Sequence, residues 1–195
     1  MRKFLVLMFI YPFYALTESA TRIDNDVVIG ASFAKDVFIG DVLKVSKLEN
    51  ECLNFVYKIK VSRTLKGDVQ IGEQIDIASH SVKHGMDVGD IFLVMTLANK
   101  NAVIDSCPQS DDQQLHSEAR FEVNMSDAIF EINMKTEPPS FQAYSCINHR
   151  FEYQRLLREN GALIENREFD GLTCKFISGP LSLLENTIAD ELSSN

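Results

Sequence analysis

The sequence predicts a mainly β protein with helices towards its C-terminal end, and three observations carry that prediction. Between Lys35 and Cys107, four apolar runs of strand length (36–45, 53–65, 74–78 and 91–97) are separated by turn-like or charged segments. The second run alternates strictly: Phe55, Tyr57, Ile59 and Val61 share one side, and Val56, Lys58, Lys60 and Ser62 the other. Beyond residue 150 the apolar spacing lengthens to that of helices. The arrangement expected is a small β barrel over about residues 27–107, followed by a mixed α/β extension.

The first twenty residues have the layout of an export signal. Arg2 and Lys3 form a positive start, residues 4–15 a short apolar stretch, and Ala15, Thr17, Ser19 and Ala20 a small and polar end. That stretch is too short for a bilayer, which takes about 20 residues, and no later segment is apolar enough to cross one. The expectation is a signal peptide at 1–20, a barrel at 21–114 and an extension at 115–195, in a secreted or periplasmic protein.

Charge narrows the partners. The whole chain carries −9, and removing Arg2, Lys3 and Glu18 with the signal makes it −10. Nucleic acid and anionic membrane surfaces are bound through Lys/Arg patches and are not expected partners of such a chain. Cys52, Cys107, Cys146 and Cys174 are an even set in an exported chain, which predicts two disulfides out of three connectivities. Pairing Cys52 with Cys107 and Cys146 with Cys174 closes each half separately and is preferred. None of the four lies in a CxxC pair or beside a lipobox, so thiol redox chemistry, a cysteine zinc site and lipid anchoring lose support.

In chain order, residues 27–31 are an apolar patch leading into the first strand. There Val37, Ile39 and Leu43 carry the β signal, and Gly40 marks a bulge or a close backbone approach. After the charged turn at 47–51 comes the alternating strand, and then Leu65-Lys66-Gly67-Asp68 as a turn. Val69, Ile71, Ile75 and Ile77 continue the period of two, with Gly72 and Glu73 forming another break. Residues 79–90, polar and holding two glycines and two histidines, form an exposed loop. The run 91–97 is almost wholly apolar, as a central strand covered on both faces requires, and 102–104 is a further short run. Residues 121–130 give a mixed signal, and Pro138 and Pro139 break the chain. Phe151, Leu156 and Leu157 predict an amphipathic helix stopped by Asn160-Gly161. Residues 172–177 predict a short strand around Cys174, and 180–192 a helix with Pro180 in its first turn and Leu181, Leu184 and Ile188 on one face.

Four fragments carry a resemblance. Asp36-Val37-Phe38-Ile39-Gly40-Asp41-Val42, the Tyr57–Val61 strand followed by Leu65-Lys66-Gly67, the run from Val88-Gly89-Asp90 to Val94, and Ile104-Asp105-Ser106-Cys107 occur in that order. Together, over about 75 residues, they resemble the netrin-like module shared by tissue inhibitors of metalloproteinases (TIMP-like) and many exported bacterial proteins. The resemblance implies a five-stranded OB-type barrel with flanking helices. It also implies an N-terminal cysteine whose amine and carbonyl chelate a target protease's zinc, and this chain has no cysteine before Cys52. Metalloprotease inhibition by that mechanism therefore has no anchor. Cys107 matches the family's strand-end cysteine, with Cys52 standing in for the missing partner.

No constellation points to catalysis. His80 and His84 are four apart, as helical metal ligands would be, but their segment reads as a loop without a ligand-like Cys or carboxylate beside it. With Lys83 and Asp87 they make a candidate binding loop; no metal and no cofactor is expected. His116 and His149 are isolated, and Asp105, Asp111 and Asp112 read as solvated surface. No GxSxG, P-loop or GxGxxG occurs. Asn124-Met125-Ser126 fits the glycosylation triplet. Phe38, Phe55, Tyr57 and Phe92 read as core rather than as a stacking platform. The function expected is a non-enzymatic, exported module that binds another extracytoplasmic protein. The rivals are an exported metal-dependent hydrolase using His80 and His84, and a structural domain of an envelope assembly.

Overall fold

The apolar patch ahead of the first strand is a helix, α1 (Val27–Phe33). Val27, Val28 and Ala31 fall on one face of it and are fully buried, so helical spacing wins over the β-branched composition. A computed structural model describes residues 27–47, 55–79, 87–96, 120–121, 130–145, 154–169 and 171–194. The expected export signal, all but Lys47 of the charged turn expected at 47–51, and the apolar run 102–104 lie outside the described residues.

The strands are β1 (Asp36–Lys47), β2 (Phe55–Lys66), β3 (Gln74–Ser79), β4 (Ile91–Thr96), β5 (Arg120–Phe121), β6 (Glu131–Asn133), β7 (Ser140–Ser145), β8 (Leu163–Phe169) and β9 (Leu172–Pro180). Two further helices, α2 (Arg155–Glu159) and α3 (Leu181–Ser194), complete the described elements. The nine strands form one sheet in the order β5-β3-β2-β1-β4-β6-β7-β9-β8. The protein is thus mainly β with helices, as the alternating runs predict. The sheet is open, not a closed five-stranded barrel. Closing the order β5-β3-β2-β1-β4 would require β4 to pair with β5, but β4's second edge is taken by β6. Phe92 is opposite Glu131, and the Leu93 amide donates to the Phe130 carbonyl at 2.9 Å.

β4 and the first half of β1, as far as Val42, lie in the middle of the sheet and are buried on both faces, which explains their apolar runs. On one face Phe38, Val42, Phe92 and Val94 pack with Tyr57, Ile59, Val61, Val69, Ile75 and Ile77. On the other, Val37, Ile39, Leu93 and Met95 pack with α1 and with Phe130, Phe141, Ile177, Leu181, Leu184 and Ile188. The second core therefore draws on both ends of the chain. Phe38, Tyr57 and Phe92 are buried, so three of the four aromatics considered for stacking belong to the first core; Phe55 packs at its margin, 5.9 Å from Tyr57 between ring centroids.

Bulges coil the β1–β2 ladder. The register passes from Ile39↔Arg63 to Gly40↔Val61, leaving Ser62 as the extra residue, and its hydroxyl donates to the Ile39 carbonyl at 3.0 Å. Gly40 is where the backbones close in: a Cβ there would stand 2.4 Å from Ile59 Cγ2 and 2.9 Å from the Lys60 carbonyl oxygen. Of the three register shifts in this ladder, the last leaves Leu43 without a register partner between Val42↔Ile59 and Lys44↔Lys58.

One expectation about the β2–β3 connection fails. Val69, Ile75 and Ile77 are buried as the period of two requires, whereas Ile71 is 73% exposed. Residues 70–73 form a turn laid back along β2, in which the Gly72 amide donates to the Val61 carbonyl at 2.7 Å and the Glu73 amide to the Gln70 carbonyl at 3.0 Å. That turn breaks the alternation and directs Ile71 outwards.

In the C-terminal half, α2 ends at Asn160-Gly161 as expected but spans only five residues, with Leu157 fully buried. Gln154, 2% exposed, accepts the Val27 amide at 3.1 Å through Oε1 and so fastens α2 to the start of α1. Pro180 closes β9 instead of opening the last helix. α3 begins at Leu181, whose amide donates to the Pro139 carbonyl at 2.7 Å.

Candidate interaction surface

Three of the four fragments that carried the sequence resemblance meet in space; the fourth, 104–107, lies outside the described residues. Asp36, the first residue of β1, is fully buried; its Oδ2 accepts from Thr96 Oγ1 at 2.8 Å and its Oδ1 from the Asp68 amide at 3.1 Å. Gly67, at φ +93°, makes room for that carboxylate, since a Cβ would lie 2.2 Å from Asp36 Oδ1. Lys66 Nζ donates to the Ala31 and Ser32 carbonyls at 3.1 and 2.7 Å, satisfying the end of α1 with a cation where helix carbonyls favour one. A buried carboxylate with these donors serves as a brace: it joins the β2–β3 turn, the start of β1 and the end of β4.

The second meeting point is at the entrance to β4. Residues 87–90 form a turn in which the Asp87 amide donates to Asp90 Oδ2 at 3.0 Å and the Asp90 amide to the Asp87 carbonyl at 3.1 Å. It is docked on β1, with the Gly89 amide donating to the Val42 carbonyl and the Val42 amide to the Asp90 carbonyl, both at 2.9 Å. The docked turn holds Val88 out at 65% exposure, and beside the paired Val42 lies Leu43, 39% exposed. An apolar residue held in water by a fixed turn has lost conformational freedom before any partner arrives, which lowers the entropic cost of binding.

Of the candidate loop residues, only Asp87 is described; it is exposed and belongs to the turn. His80, Lys83 and His84 lie outside the described residues, as do His116, His149, Asp105, Asp111, Asp112 and the Asn124 triplet. Cys174 is fully buried on β9, and Cys52, Cys107 and Cys146 lie outside the described residues. Among the described residues no group of three or more His, Cys, Asp or Glu side chains could hold a metal ion, and no helix is long and apolar enough to cross a membrane. Sequence reasoning placed Leu43 in the first strand and Val88 in a resemblance fragment but named neither as a binding residue. Parity groups Leu43 with Val37 and Ile39 inside, and only the bulge at Leu43 cancels that parity.

Comparison of the chain with protein-family models, with curated proteins and with solved structures finds no match.

Proposed function

We propose that this protein is an exported, non-catalytic module of netrin-like type, with its barrel opened, that binds another extracytoplasmic protein through the 79–90 loop and the neighbouring end of β1. The observation that carries the reading is the Asp87–Asp90 turn, pinned to Val42 by two backbone hydrogen bonds while it presents Val88 to solvent. An apolar tip on a fixed support, next to a polar loop, suits protein recognition: an apolar centre within a polar rim. Further support comes from the order β5-β3-β2-β1-β4 and from Asp36, Gly67 and Gly89, which join the first three fragments of the family pattern.

In this reading Cys174, buried on β9, is one end of a disulfide, with Cys146 as its partner and Cys52–Cys107 as the second pair. Peptide mapping of the unreduced protein tests both, and a crossed pairing overturns the assignment.

The functional test uses full-length protein with its disulfides intact as bait against the extracytoplasmic extract of its source. A protein retained by the native chain and released by Val88→Asp or by Leu43→Asp supports the reading. Retention that neither change alters removes the proposed surface. In parallel, His80→Ala/His84→Ala is assayed for bound metal, and loss of a stoichiometric metal from the native protein would favour the hydrolase reading instead.

A further inference from the structure

Among the described residues the sheet ends at β8. β9 pairs with one side of it along all seven residues, from Leu163↔Ser178 to Phe169↔Leu172, and no described residue pairs with its other side. An open edge offers alternate backbone N–H and C=O groups to any strand that can match it. Many edges are blocked by like charges, but this one displays opposite charges two residues apart. Arg167 donates to Glu165 Oε2 through Nη2 at 2.7 Å and through Nε at 3.1 Å, and both side chains are about half exposed. The Arg167 guanidinium also lies over the Phe176 ring, 4.6 Å from its centroid, so its position is held from below.

Asn166 stands between the two charges. If two β8 strands pair antiparallel about a two-fold axis through Asn166, residue 165 of each faces residue 167 of the other. We propose that the protein self-associates in this way, β8 against β8 of a second copy, forming a closed two-fold dimer with one continuous sheet. Glu165 then faces Arg167 of the second copy and Arg167 faces its Glu165, converting two intrastrand pairs into a four-charge cluster of alternating sign. Leu163, an apolar residue 64% exposed in the single chain, falls opposite position 169 of the second copy. The register is selective. Moving the axis one residue either way sets Glu165 against Glu165 or Arg167 against Arg167, and like charges directly opposite each other are unfavourable. Two-fold closure also uses up the edge, so the assembly stops at two.

The test is sedimentation velocity of the full-length protein over a concentration series. The native chain is expected to shift from monomer to dimer as concentration rises. Arg167→Glu, which sets glutamate against glutamate twice, should weaken the dimer about tenfold or more, and Glu165→Arg should do the same with arginines. The doubly exchanged Glu165→Arg/Arg167→Glu chain should recover native association, and an equimolar mixture of the two single variants should form a heterodimer. Circular dichroism of each variant establishes that it is folded; if one single variant fails, the other and the double exchange give the same readout. A native chain that stays monomeric to its solubility limit overturns the proposal. So does a dimer indifferent to the charge changes.

Discussion

Thr96 Oγ1 donates to Asp36 Oδ2 at 2.8 Å where neither residue has any exposed surface. The two stand sixty residues apart, at the end of β4 and the start of β1, and the Lys35 amide adds a bond to the Thr96 carbonyl at 2.8 Å. Burying polar oxygen atoms is costly unless they are hydrogen-bonded, so the Thr96 hydroxyl matters here. Thr96→Val keeps the shape and deletes one donor, so unfolding in urea is expected to show a loss of about 1–3 kcal/mol. Thr96→Ser, which keeps the hydroxyl, should lose clearly less. Equal losses from the two changes would mean that the methyl group's packing, and not the hydrogen bond, sets the stability here.

At Gly40 the constraint is space. Adding one carbon brings it against Ile59 Cγ2 and the Lys60 carbonyl at distances that ordinary contacts do not reach. Gly40→Ala is expected to cost about 1–3 kcal/mol as an overpacked site. Part of the crowding is side chain, so Ile59→Ala should relieve it, and the double variant should cost less than the two single changes combined. The backbone carbonyl cannot be trimmed, which sets a limit to that relief. Strict additivity in denaturant melts would show that the strands separate instead of clashing.

Much of this fold is legible in the chain because burial on one face leaves a period. The β2 alternation from Tyr57 to Ser62, the continuous run in β4 and the spacing of Leu181, Leu184 and Ile188 match the burial found, whereas at the start of β2 Val56 is buried and Phe55 only half-buried. What escapes has a local cause. β8 reads Leu163-Ile164-Glu165-Asn166-Arg167-Glu168-Phe169, and a strand at the sheet's edge need not bury one face, so it carries no alternation to find. Val27 and Val28 look like strand residues, yet seven residues of helix suffice to bury them against α3. Barrel closure was beyond reach for a different reason: whether β4 meets β5 or β6 depends on which distant segment takes its edge, and residues 91–96 contain nothing that chooses. In the candidate surface, Asp87 was found from loop composition, whereas Val88 and Leu43 depend on a docked turn and a bulge, neither of which leaves a sequence period.

α3 is expected to matter for the N-terminal strands as well as for its own neighbours. Leu184 is fully buried in the core that also holds Val28, Val37 and Ile39. Leu184→Ala should therefore cost about 2–5 kcal/mol, the usual range for a cavity left by a buried leucine. Because one core joins both ends of the chain, the loss should appear at the same denaturant midpoint by near-ultraviolet signal from either half. Separate midpoints would show that the helix stabilises only the strands next to it in sequence.

The ion pair between Arg63 and Glu185 ties β2 to α3 across 122 residues of sequence, and its reach invites the view that it is a principal fastening. Its surroundings argue otherwise. The Arg63 side chain is 52% exposed and that of Glu185 18%, so solvent and salt screen the attraction on at least one side. Exposed pairs contribute about 0.2–1 kcal/mol once the entropy of holding two long side chains is counted. The apolar residues around it in α3, Leu181, Leu184 and Ile188, are each buried to 4% exposure or less, and full burial of such a side chain is worth about 1.5–3 kcal/mol. Arg63→Ala is accordingly expected to cost under about 1 kcal/mol, well below Leu184→Ala, and the difference from native should shrink towards zero as sodium chloride approaches about 1 M. A loss above about 2 kcal/mol that persists in high salt would mean that Glu185 is left as an uncompensated charge at the foot of the helix, and the pair would then outrank the packing around it.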